Sequence, residues 1–201
     1  MKKDILITGA KGFIGKRIKG GKIFTGRLEI FGDLLVATSY TKGIVHLAAQ
    51  SYNGSCEADI LKTVMANIFG VYNVLYAALE RKIWVLFIST YQVRRKNIYG
   101  LSKLMGEELC RVFQKKGVRV KILRLPIVYG PGDRSDKVVT KIIRELKAGQ
   151  VPKIDTDEKF HFAYVDDIAK VIEKEVSVMC GNKYGRFVSL HDLVDGIKKC
   201  L

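Results

Sequence analysis

The chain has 201 residues, enough for one well-buried domain and few for two. Apolar residues make up 48% and charged residues 27%, a globular balance that excludes a disordered, collagen-like or low-complexity chain. With 35 Lys and Arg against 20 Asp and Glu, the net charge of +15 favours anionic ligands: nucleic acid, an anionic membrane or a phosphorylated small molecule.

The basic residues are scattered, and their densest cluster is Arg94-Arg95-Lys96. A solvated lysine-rich surface is therefore the plainer reading of the charge, and nucleic acid is not expected. The longest apolar run, 83–88, is far too short for a membrane span. Asp4 interrupts what Lys2-Lys3 would otherwise begin as a leader, so a cytoplasmic protein is expected, with no membrane partner. Cys56, Cys110, Cys180 and Cys200 are isolated, and His46, His161 and His191 have no metal-ligand spacing. Reduced thiols and no metal site follow.

In chain order, 4–8 (DILIT) reads as a buried strand entering a glycine turn, and 13–19 as a brief helix ended by Gly20-Gly21. Segments 28–31 and 43–47 read as the next strands. Residues 64–79 carry apolar side chains at helical spacing, and 83–89 (IWVLFIS) form a continuous apolar strand. A helix at 99–115, a strand at 119–125 and a helix at 137–147 follow. Asp166 can cap a helix through 174, and Ser189 one ending near 201. Strands alternating with helices predict an α/β fold, a Rossmann-type doubly wound parallel sheet.

Gly9, Gly12 and Gly15 stand at G-x-x-G-x-x-G spacing between the first strand and the first helix. Glycine there permits a tight turn and close backbone approach to a pyrophosphate, which a helix N-terminus would also attract. A dinucleotide cofactor is the expected ligand. The acid that would bind the adenine ribose is open between Glu29 and Asp33, while Lys11, Lys16 and Arg17 could instead hold a 2′-phosphate. NAD is favoured slightly, and NADP stays open.

Tyr99 and Lys103 are four residues apart and share a helix face. An ammonium beside a phenol favours the phenolate, so this pair predicts a tyrosine pKa drawn towards neutrality. Thr90 ends the strand IWVLFIS, at the sheet edge where such folds bind ligands.

Glycine turn, strand-end Ser-Thr and Tyr-x-x-x-Lys, in that order, resemble the extended short-chain dehydrogenase/reductases, the group of NAD-dependent epimerases and dehydratases. ITGAKGFIG (7–15) is similar to the cofactor turn, Gly32-Asp33-Leu34 to the adenine contact, and HLAAQ (46–50) to the strand end lining the cofactor. FIST (87–90), YGLSKLMGEE (99–108), LRLPIVYGPGD (123–133) and FAYVDDIAKVI (162–172) resemble the catalytic strand, the catalytic helix, the nicotinamide-side loop and the start of the substrate region. The resemblance implies Tyr99 as general acid/base, Lys103 as its partner and ribose ligand, and Thr90 as the group polarising the reacting oxygen. It implies Gly9, Gly12, Phe13, Ile14, Gly15, Asp33, Leu34, Leu47, Ala48, Ala49, Pro126 and Ile127 around the cofactor. A Rossmann core over 1–132 would carry an abbreviated, interleaved substrate region over 133–201. The helices at 64–79 and 99–115 could form a homodimer interface, as often in that family.

Several features depart from the pattern. Asp33 stands only 18 positions after Gly15, so a helix or strand of the adenine half should be missing. Thr90 and Tyr99 are only nine residues apart. Ile127 stands where the family typically has asparagine, and Phe160 where an arginine often grips the substrate diphosphate. Arg134, Lys159 or the 94–96 cluster would then hold a phosphorylated substrate. The leading expectation is an oxidoreductase or epimerase acting on a nucleotide sugar or related carbonyl or hydroxyl substrate. The competing one, motivated by charge, is a cofactor-binding regulator or RNA-associated protein on the same scaffold.

Overall fold

The computed structural model describes residues 4–154, 158–178, 186–189 and 198. Strands β1 (Ile5–Thr8), β2 (Lys22–Ile23), β3 (Gly43–His46), β4 (Trp84–Thr90) and β5 (Val120–Leu125) form a five-stranded sheet in the order β2-β1-β3-β4-β5. Every pairing in it is parallel. The helices are α1 (Phe31–Ala37), α2 (Asn53–Ala58), α3 (Ile60–Val64), α4 (Gly70–Arg81), α5 (Ile98–Lys115), α6 (Val138–Lys147) and α7 (Val165–Val178).

Both faces of the sheet are covered, which explains why its inner strands read as continuous apolar runs. Alternate residues serve opposite cores. Leu6, Ile44, Val85 and Phe87 face Val71, Val74, Leu75 and Ala78 of α4, with Cys110 and Phe113 of α5. Ile5, Ile7, Val45, Leu86 and Ile88 face Ile168, Ala169 and Ile172 of α7. A π-helical turn, Met65–Phe69, joins α3 to α4, and the joined helix Ile60–Arg81 is long and apolar enough by composition to cross a membrane. Its buried stripe belongs to the α4 core just described.

A second sheet follows: β6 (Ile127–Tyr129) pairs parallel with β7 (Lys159–Tyr164), and β7 antiparallel with β8 (Arg186–Ser189). Val139 and Ile142 of α6 pack on Phe162 of β7.

The adenine half is where the sequence reading needs most correction. The helix expected at 13–19 is one 3-10 turn, Gly15–Arg17. Gly20 and Gly21, both at positive φ, turn the chain directly into the two-residue β2. The strand expected at 28–31 is absent; Leu28 leans on the α4 core and Phe31 opens α1. Asp166 lies in the first turn of α7, where it accepts a hydrogen bond from Arg17 Nε at 2.8 Å rather than capping the helix. The helix expected after Ser189 falls outside the described residues.

Candidate active site

The strand order reverses at β1, whose neighbours β2 and β3 are reached by connections running in opposite directions. Such a point opens a crevice at the carboxyl ends of the strands. At the tip of β1, Thr8 Oγ1 lies 2.7 Å from His46 Nδ1 on β3 and accepts the Ala48 N–H at 3.3 Å. Burial, assisted by the charge of Lys103, pushes His46 down to about 3, so its imidazole stays neutral.

The backbone then folds tightly on itself. Gly9 has φ +70°, and a Cβ there would lie 2.6 Å from Ala48 N; one on Gly15 would lie 2.2 Å from Gly9 O. This leaves a bare cradle at the floor of a cleft of about 500 Å³. Gly9, Gly12, Phe13, Ile14 and Gly15 form one wall, with Leu47, Ala48 and Ala49 beside them. Thr90, Tyr99, Lys103, Pro126 and Ile127 line the same cleft, and Arg134 stands with them. The cradle fits the pyrophosphate of a dinucleotide. The 3-10 turn is too short to present a full helix end, so Lys11 and Lys16, which also line the cleft, supply positive charge there. Arg17 is instead committed to Asp166, the Phe13 carbonyl and the Pro131 carbonyl.

Two expected cofactor contacts lie elsewhere. Leu34 is fully buried in the α4 core because α1 begins at Phe31 and turns it inward. Asp33 does not line the cleft, and its Oδ2 accepts from Arg27 N at 2.9 Å. Glu29 pairs with Arg27 at 3.9 Å. The described cleft therefore leaves the choice between NAD and NADP to its lysines and to the loop around Arg27.

The short connection from Thr90 to α5 positions Thr90, Tyr99 and Lys103 relative to one another. Thr90 Oγ1 accepts from Gln92 N at 3.2 Å and caps a 3-10 turn, Tyr91–Arg94; Asn97 Oδ1 accepts from Gly100 N at 2.7 Å and caps α5. Gly100 lies so near the 3-10 turn that a Cβ would approach Gln92 O to 2.3 Å. Tyr99 is half-buried and Lys103 buried, one helical turn further on.

Their electrostatics differ from the expectation. Burial first, and then proximity to Cys56, pushes the Tyr99 phenol up to about 12. Lys103 is pulled down to about 8 by burial, against the opposing influence of Cys110 and Glu107. Its Nζ donates to the Ile88 carbonyl at 2.6 Å and sits 4.2 Å from the Phe87 ring centre. The ammonium is thus directed at β4, and its sequence spacing alone does not make it acidify the tyrosine.

Behind this pair lies a buried carboxylate that the motifs did not reveal. Glu107 is fully buried, and its Oε1 accepts from Ser89 Oγ at 2.6 Å and Arg124 Nε at 2.8 Å. Its position eight residues after Tyr99, on the same helical stripe, was the available signal. Asn67 braces the segment after β3: it exchanges hydrogen bonds with the Gln50 backbone at 2.7 and 2.9 Å and donates to Ser102 Oγ at 2.9 Å.

A second cavity, about 790 Å³, shares Thr90, Gln92, Leu125, Pro126 and Ile127 with the first. Lys159, Arg94 and Arg95 line it together with Tyr91, Phe160 and His161. Arg95 pairs with Glu158 at 2.9 Å and lies 5.4 Å from the Phe160 ring centre. Arg134 and Lys159 therefore belong to different cavities. Arg134 is held by Asp136 at 3.1 and 3.0 Å and lies 4.1 Å from the Tyr52 ring centre.

The profile of the "NAD dependent epimerase/dehydratase family" matches residues 34–174. The "Uncharacterized UDP-glucose epimerase YtcB" of Bacillus subtilis is 35% identical over 77 residues, which are 37% of this chain and 24% of that protein. The UDP-N-acetyl-alpha-D-glucosaminuronate decarboxylase of Bacillus cytotoxicus is 25% identical over 94% of this chain and 75% of its own. The chain thus spans between a quarter and three quarters of the length of these two curated relatives. Among solved structures, UDP-glucuronic acid 4-epimerase from Bacillus cereus, in complex with UDP-glucuronic acid and NAD, superposes with a TM-score of 0.83 at 22% identity. That match covers 99% of this chain and 82% of the other. With the profile spanning α5, the whole lining of the second cavity and most of the described core, the chain belongs to the NAD dependent epimerase/dehydratase family.

Proposed function

We propose that this chain is an NAD-dependent oxidoreductase or epimerase acting on a nucleotide sugar, with Thr90, Tyr99 and Lys103 as its reactive set. One observation carries the reading: these three side chains open into the same cleft as the Gly9–Gly15 cradle, and Thr90 also borders the second cavity. The relatives are named for UDP-sugar chemistry, and the superposed epimerase holds NAD.

The Gly9 and Gly15 backbone would hold the pyrophosphate, and Tyr99 and Lys103 the nicotinamide ribose. Bound NAD supplies the acceptor and donor of hydride. With a pKa near 12, Tyr99 is a protonated phenol at neutral pH, placed to give its proton to a carbonyl oxygen as the attached carbon is reduced. Thr90 donates a hydrogen bond to that oxygen. Lys103, charged below about 8, stabilises the phenolate left behind. The resting phenol carries the proton that carbonyl reduction consumes, and in the oxidising direction its phenolate takes a proton back from the substrate hydroxyl.

The test is a thermal-shift series with NAD, NADP and UDP-, GDP- and dTDP-sugars, since a ligand of the native state raises Tm. A rise with NAD and a further rise with one sugar class is expected; no rise with either dinucleotide contradicts the reading. RNA binding that weakens with salt, without a dinucleotide effect, would favour the regulator instead.

Lys159, beside Phe160, and Arg134, at the cofactor-side mouth, are assigned to an anionic substrate. Replacing both by alanine is expected to raise KM about tenfold with kcat retained, equivalent to about 1.4 kcal/mol of uniform binding. An unchanged KM removes them from the site.

We further assign the homodimer interface to the outer faces of the joined helix and α5. Leu61 and Phe69 on one, with Leu101, Met105 and Val112 on the other, are exposed. Light scattering should give twice the chain mass, and Leu101→Glu with Met105→Glu should give the single-chain mass; a monomer at the start contradicts the assignment.

A further inference from the structure

The end of β4 is joined to α5 by two successive rungs. Lys103 Nζ bonds the Ile88 carbonyl, and Ser89 Oγ donates to Glu107 one turn further along the helix. Thr90, the next residue of β4, lines the cleft. Ser89 also stands directly across the sheet from Arg124, which holds Glu107 through Nε at 2.8 Å and Nη2 at 2.6 Å. Arg111 adds a contact to Oε2 at 3.3 Å from the exposed side.

One buried carboxylate thus connects β4, β5 and α5, the elements that carry Thr90, Leu125 and the Tyr99–Lys103 pair. A fully desolvated carboxylate survives only when its lone pairs are filled, and here each oxygen receives two donors. Burial raises the Glu107 pKa, but the hydrogen bonds from Arg124 and Ser89 outweigh it and hold the group ionised.

We propose that Glu107 is a positioning residue for the proton-transfer pair: its carboxylate fixes the end of β4 against α5 and is the buried counter-charge for Lys103. It reaches neither cavity, so its effect passes through other side chains. The titratable groups facing Lys103 are Tyr99, Glu107 and Cys110 on α5 and His46 on β3. Burial keeps His46 neutral, and pushes the Tyr99 phenol and the Cys110 thiol each up to about 12. At neutral pH the negative charge among them is Glu107. The proposal draws its catalytic meaning from the reading of Lys103 above, yet its test needs no substrate or cofactor.

The test is the titration of the Lys103 ¹³Cε resonance in lysine-labelled protein, assigned through the spectrum of Lys103→Arg. In Glu107→Gln the loss of a negative charge disfavours the ammonium, so the midpoint should fall by about one pH unit. A merely structural carboxylate would lower Tm and leave the midpoint in place, and that result overturns the proposal. Should the single variant fail to fold because Arg124 is left unpaired, Glu107→Gln with Arg124→Lys keeps the cation on a flexible stem where the side chain already reaches solvent, so that again only the negative charge is lost. The same fall is expected there, and an unmoved midpoint in the folded double variant overturns the proposal equally.

Discussion

Tyr99→Phe is expected to lower turnover by about 10²–10⁴-fold, the range by which a positioned proton donor accelerates such a step, and to weaken NAD binding by no more than about tenfold, the worth of the one ribose hydrogen bond lost. The substitution removes one oxygen and no ring packing, so α5 keeps its cap at Asn97 and its rungs to β4. Because the same proton is given in one direction and taken back in the other, the loss in kcat/KM should be equal for reduction and oxidation at any one pH. The comparison that checks this is kcat and KM for both proteins over pH 6–10, with NAD affinity followed by fluorescence. Equal turnover would mean that another group, such as Thr90 or solvent, carries the proton.

The second large effect is expected at Gly9. An alanine there is strained twice, by φ +70° and by a Cβ 2.6 Å from the Ala48 backbone nitrogen. The contact cannot relax by a side-chain rotation, because backbone meets backbone. Relief would part β1 from the β3 exit, where Thr8 and His46 are bonded at 2.7 Å. Gly9→Ala should therefore lower unfolding stability by at least about 1–2 kcal/mol and abolish the dinucleotide-induced rise in Tm. A variant with native stability and native NAD response would show that the turn is not the cradle.

These two positions also show what a linear sequence can disclose. The glycine turn and Tyr99/Lys103 are local patterns of fixed spacing, and Thr90 lies at the end of a continuous apolar run; the fold brings them into one cleft. Strands β1, β3 and β4 were legible because burial on both faces leaves no alternation to misread. Residues 22–37 were not, since a two-residue strand and a short helix carry too few positions to show a period. Leu34 illustrates the cost: correctly apolar, it was assigned to the cofactor, yet it faces α4.

The electrostatic reading failed for a related reason. Spacing of four placed an ammonium near a phenol, but it could not tell that Ile88 O and Phe87 would take the ammonium, or that burial would dominate at Tyr99. Glu107 and Arg124 lie 17 residues apart on different elements, and only the β4–β5 register brings Ser89 opposite Arg124. The net charge of +15 is only partly absorbed by the two cavities, through Lys11, Lys16, Arg94, Lys159 and their neighbours.

The most direct measurement is isotope transfer. The purified chain is incubated with nicotinamide-deuterated NADH and a panel of nucleotide sugars and their keto derivatives, and the products are read by mass spectrometry and NMR. One deuterium in the sugar ring, or a C4 epimer formed with NAD retained on the protein, is the predicted result, lost in Tyr99→Phe. Bound dinucleotide with neither label transfer nor epimer, across all sugar classes, would contradict the account.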